Sequence, residues 1–70
     1  MKVVLIMTTR NGVALFFNER EGFLSSDPEA IQAALKEDIN SKDPIASKIA
    51  RRLWIEAELS GGIKELSNLF

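Results

Sequence analysis

Lys2-Val3-Val4-Leu5-Ile6-Met7-Thr8-Thr9-Arg10-Asn11-Gly12-Val13-Ala14-Leu15-Phe16-Phe17-Asn18 decides the architecture of this chain. Its first half is β-branched and aliphatic with no helix breaker, which reads as a strand over Lys2–Thr9. Asn11-Gly12 is the strongest short hairpin signal, because a type I′ turn needs positive φ at both central residues. Val13–Asn18 is then the returning strand. With Asn11 and Gly12 as the two loop residues, Met7 faces Phe16, Leu5 faces Asn18 and Ile6 faces Phe17.

Both faces of that hairpin are apolar at their centres. One carries Val3, Leu5, Met7, Ala14 and Phe16, and the other Val4, Ile6, Val13, Leu15 and Phe17. An antiparallel sheet with one wet face should alternate apolar and polar residues, and this one does not. Either helices wrap both sides, or a second chain covers one of them. The expected second chain is a copy, docked on Val3, Leu5, Met7 and Phe16.

Size points the same way. A chain of 70 residues makes one domain, 1–70, and buries only about 60% of the surface its unfolded form exposes. Small scaffolds gain stability from disulfides, metals or partner chains. With no cysteine and no histidine, disulfides are impossible and a structural zinc site is nearly so. Oligomerisation remains, and a homodimer is expected.

Beyond the hairpin, Glu21-Gly22 looks like a second turn, with Phe23–Ser25 available as a short third strand. Asp27-Pro28-Glu29 opens a helix: Asp27 as N-cap, Pro28 at the first helical position, Glu29 at the positive end of the dipole. That helix runs to about Ile39, with Ile31, Ala34, Leu35 and Ile39 on one stripe. Asp43-Pro44 repeats the device and starts a longer helix ending at Ser60, where Gly61-Gly62 supplies a left-handed cap. Ile63–Phe70 is expected as a short C-terminal helix. The fold class is therefore α+β: an N-terminal hairpin, two helices and that last short one.

The second helix carries the candidate site. Ile45, Ala46, Ile49, Ala50, Leu53 and Ala57 form its expected core stripe. Opposite them, Arg51, Ile55 and Leu59 line up, flanked by Lys48 and Arg52, with Trp54 at the margin. A surface helix should be polar on its far face, so Ile55 and Leu59 need cover. Either the last helix folds over them with Leu66, Leu69 and Phe70, or they belong to a partner-binding patch of aliphatic, arginine and tryptophan residues.

Catalysis has little to work with. Histidine, cysteine and tyrosine are absent, so the commonest bases and nucleophiles are missing. Adjacent carboxylates Glu37 and Asp38 diverge by about 100° on a helix. Asp38 itself falls inside the apolar stripe of the first helix, which fits a fraying last turn. No glycine spacing cradles a phosphate, and no cofactor is implied.

Net charge is −1, but residues 18–43 sum to −4 and the remainder to +3. Lys48, Arg51 and Arg52 could meet phosphates, and two helices joined by a short break have a helix-turn-helix outline. That reading, a nucleic-acid-binding regulator, is the alternative. The first expectation is a small non-catalytic protein–protein interaction module: a regulator, adaptor or inhibitor of a larger protein. The apolar run Val3–Met7 is too short for a signal peptide or a membrane span, so a cytoplasmic location is the default.

Overall fold

The structure, a computed structural model, describes residues 2–66. Four strands and two helices follow one another: β1 (Val3–Thr8), β2 (Ala14–Asn18), β3 (Gly22–Ser25), α1 (Pro28–Ile39), α2 (Pro44–Leu59) and β4 (Ile63–Glu65). They form one mixed sheet in the order β1-β2-β3-β4, antiparallel except for the parallel pair β3–β4. The α+β class holds, with the third strand present and a fourth added.

The hairpin closes differently from the sequence expectation. Only Gly12, at φ 82°, has positive φ in the loop, so Asn11 is not in the conformation a type I′ turn demands. Gly12 N–H donates to Thr9 O (3.1 Å) and Thr9 N–H to Val13 O (2.8 Å), making a three-residue loop of Arg10, Asn11 and Gly12. The Thr9 hydroxyl accepts from Val13 N–H at 3.1 Å, a local bond that favours this wider closure.

Register shifts as a result. Thr8 pairs with Ala14 and Met7 with Leu15, but Leu5 pairs with Phe16, Val4 with Phe17 and Val3 with Asn18. Ile6 is the extra residue of a β-bulge, and a bulge puts the residues on its two sides out of phase. Met7 therefore joins Leu15 on the helix side, where it packs against the core, while Leu5 and Val3 share the opposite face with Phe16. The expected interface set of Val3, Leu5, Met7 and Phe16 thus loses Met7.

Leu15, Phe23, Ile31, Leu35, Ala50 and Ala57 make the buried core, with Phe17, Leu53, Trp54 and Ile63 packed around it. Phe17 and Phe23 are cross-strand partners and meet edge to face with ring centroids 5.2 Å apart, a favoured aromatic geometry. The tight turn between β2 and β3 is held by Asn18, whose Oδ1 accepts from Arg20 N–H (2.8 Å) and Glu21 N–H (3.0 Å). Gly22 follows at φ 86°, and a Cβ there would lie 3.3 Å from Ser60 Cβ, so the turn sits close against the end of α2.

Both helices start as their sequences predict. Asp27 Oδ1 accepts from Ala30 N–H at 3.2 Å, and Asp43 Oδ1 from Ile45 and Ala46 N–H at 3.0 and 3.5 Å. At the end of α2, Gly62 N–H reaches Ala57 O (2.7 Å) and Gly61 N–H reaches Glu58 O (3.1 Å). Gly61 has φ 93°, and together these bonds are a Schellman cap. The Ser47 hydroxyl donates to Ile39 O at 2.7 Å, so α2 satisfies a carbonyl at the C-terminus of α1.

The expected final helix is not formed at its start. After Gly61-Gly62 reverse the chain, Ile63, Lys64 and Glu65 pair in parallel with Phe23, Leu24 and Ser25. Ile63 turns toward the core, whereas Lys64 is exposed. The open edge of β3 offers backbone partners that a helix at this point would leave unused. Residues 67–70, with Leu69 and Phe70, lie outside the described residues.

Candidate interaction site

α2 is rotated relative to its predicted placement. It buries Ala50 and Ala57 and half-buries Ala46, Leu53 and Trp54, and small residues of this kind let two helix backbones approach closely. Trp54 packs against the core with Lys36 Nζ 5.5 Å from its ring centroid. It therefore links α2 to α1 and leaves the outer patch to which the sequence reading assigned it. Ile45 and Ile49, expected in the core, point the other way. The rotation that brings Trp54 inward carries both isoleucines out, leaving Ile45 70% exposed.

Exposed side chains therefore dominate the outer face of α2: Ile45, Ile49, Ile55 and Leu59, the last 82% exposed. Lys48, Arg51, Arg52 and Glu56 are exposed among them. Pro44, Ser47, Lys48, Arg51, Arg52, Ile55 and Glu56 line a shallow groove along this surface. Arg52 Nε lies 3.8 Å from Glu56 Oε1 one turn on, a solvent-screened pair that contributes little to stability. Five of the six residues expected at a partner site, Lys48, Arg51, Arg52, Ile55 and Leu59, thus share one surface.

A second apolar surface lies on the sheet. Val3, Val4, Leu5 and Ile6 are all more than one-third exposed, Leu5 by 56%. The cause is position: β1 is the edge of the sheet, while α1 packs over β3 and β4, so of the aliphatic residues of β1 Met7 alone packs against the core. The rest of the outer sheet face is better covered, since Leu24 is 1% exposed and Phe16 half-buried. Exposure therefore concentrates on the edge strand rather than on a whole face.

Titratable groups do not converge. Asp38 is half-buried and borders an open hollow between the hairpin loop and α1, with Thr8, Thr9, Arg10, Asn11 and Glu37. Among the described residues no three carboxylates cluster in a way that would hold a metal ion. No helix there is long and apolar enough to cross a membrane. Among the described residues, Asn18 and Ser25 are the buried polar side chains. Ser25 Oγ accepts from Asp27 N–H at 3.2 Å, whereas Asn18 Nδ2 has no partner among the described residues.

The exposure of Ile45 and Ile49 was the feature sequence reading missed. A signal was present: α2 carries an alanine stripe and an isoleucine stripe, and a helix packed on one neighbour through small residues turns its large ones outward. Comparison of the chain with protein-family models, curated proteins and solved structures found no match.

Proposed function

We propose that this chain is a small non-catalytic protein–protein interaction module that regulates or adapts a larger protein and works as a homodimer in the cytoplasm. One observation carries the reading: among the described residues eight large aliphatic side chains are more than one-third exposed, and they gather on two separate surfaces, β1 and the outer face of α2. Contiguous exposed apolar surface on a small soluble domain marks contact with other chains. A dimer that also binds a target needs two such surfaces.

β1, where the sequence predicts the copy, suits an extended segment of the target instead, and this exchanges the roles expected of the two surfaces. Among the described residues no strand pairs with its outer edge, its side chains are aliphatic on both faces, and Val3–Met7 contains no charge or proline to repel an added strand. Val3 and Leu5, with Phe16 beside them, supply the side-chain contacts. Lys48, Arg51, Arg52, Ile55 and Leu59 form the second surface.

The nucleic-acid alternative draws on Lys48, Arg51 and Arg52, which share a groove, but Ile55 and Glu56 line the same groove and interrupt a phosphate track. A two-arm experiment decides. Captured proteins should be lost with Leu5→Lys, and no DNA or RNA should shift in mobility at about 50 mM salt, where phosphate contacts are strongest. A shift abolished by Arg51→Glu, Arg52→Glu would overturn the reading in favour of nucleic acid.

A further inference from the structure

On the outer face of α2, Ile45, Arg52 and Leu59 recur every seven residues, and Lys48 with Ile49 and Ile55 with Glu56 stand three and four residues after Ile45 and Arg52. Turning 3.6 residues per turn, the seven lie within about 60° of Arg52 around the helix. All seven are exposed. A seam of this spacing is the pattern by which one helix lies along another.

We propose that this seam pairs with the same helix of a second copy, antiparallel, about a two-fold axis at Arg52. This rests on reading the face as an interaction surface and names its occupant. In that register each residue meets the one equally far on the other side of Arg52. Ile45 meets Leu59 of the copy, Ile49 meets Ile55 of the copy, and Lys48 meets Glu56 of the copy. The two-fold repeats each contact, giving four aliphatic pairs and two opposite-charge pairs. The seam is its own complement, as an isologous interface requires.

Parallel pairing would instead oppose Lys48 to Lys48, Arg52 to Arg52 and Glu56 to Glu56. Antiparallel pairing keeps only the Arg52 contact unfavourable, and Glu56 of the same helix already draws that guanidinium to 3.8 Å. One helix pair is smaller than a standard interface, so association on the order of micromolar is expected.

Sedimentation equilibrium of the full chain, from about 1 to 200 µM to bracket a micromolar constant, tests this, with circular dichroism confirming that each variant keeps its helices. The wild type should approach twice 7.8 kDa. Lys48→Glu and Glu56→Lys should each weaken the dimer roughly tenfold, because each sets like charges together twice. The double swap Lys48→Glu, Glu56→Lys should restore it, and Arg52→Leu should tighten it.

A wild type that stays monomeric overturns the pairing, as do single reversals without effect or a double swap no better than either single change. A dimer indifferent to these changes but lost with Leu5→Lys places the copy on β1: the helix pairing fails and the interaction-module reading survives. A helix-paired dimer with no protein partner at β1 has the converse meaning.

Discussion

α1 and α2 begin alike and are used in opposite ways. Each opens with an Asp N-cap and a Pro at the first helical position, and each carries aliphatic residues at helical spacing. α1 turns its large side chains inward, burying Ile31 and Leu35 completely. α2 turns its alanines inward and leaves Ile45, Ile49, Ile55 and Leu59 in solvent. One helix is a wall of the core. The other is a wall on one side and a contact surface on the other, and its large residues are matched to something beyond this chain's own interior.

Five substitutions test that contrast. The largest effect is expected at Leu35→Ala, which should cost about 3 kcal/mol by lost burial and an unfilled cavity. Urea titration followed by circular dichroism would register that loss as a nearly unfolded chain, because a domain this small has little stability to spare. Ala57→Leu should come next, at about 2 kcal/mol, since added bulk forces apart the close helix contact. A neutral Ala57→Leu would mean that α1 and α2 are not tightly packed.

Loss of a cap should be smaller. Asp43→Ala and Asp27→Ala should each cost about 1 kcal/mol, with a similar shift of the urea midpoint for both helices despite their different faces. Smallest of all, Ile49→Ala should change monomer stability by less than about 0.5 kcal/mol, as exposed substitutions do, when measured at concentrations too low for association. A cost approaching that of Leu35→Ala would erase the distinction between the two helices.

What could be read from the sequence was what local chemistry decides. The two Asp-Pro starts, the Gly61-Gly62 stop and the hairpin at Gly12 depend on residues within one turn of each other, and all are found where the sequence places them. The hairpin's register was not legible, because the Thr9 hydroxyl competes with Asn11-Gly12 for the loop geometry, and a single bulge at Ile6 then exchanges faces. The wider loop set Met7 opposite Leu15 on the core side, and the bulge returned Leu5 and Val3 to the face of Phe16. Ile63–Glu65 suits a helix or a strand equally well over three residues, and the open edge of β3 decided the matter. Of the candidate site, the bases with Ile55 and Leu59 were legible. The rotation that took Trp54 inward and brought Ile45 and Ile49 out was not, since it depends on how closely α1 approaches.

The parallel pairing of β3 with β4 has a consequence for the order in which the molecule assembles. β1, β2 and β3 join through short turns, whereas residues 26–62, including both helices, separate β3 from β4. Contacts between distant parts of a chain form late, because the intervening segment must first be ordered. Pulse-labelled hydrogen exchange should find Phe16 and Phe17 amides protected before those of Ile63–Glu65, and simultaneous protection would contradict this. Until that final step the four-residue edge of β3 stands open to a wrong partner, and only the arrival of β4 covers it.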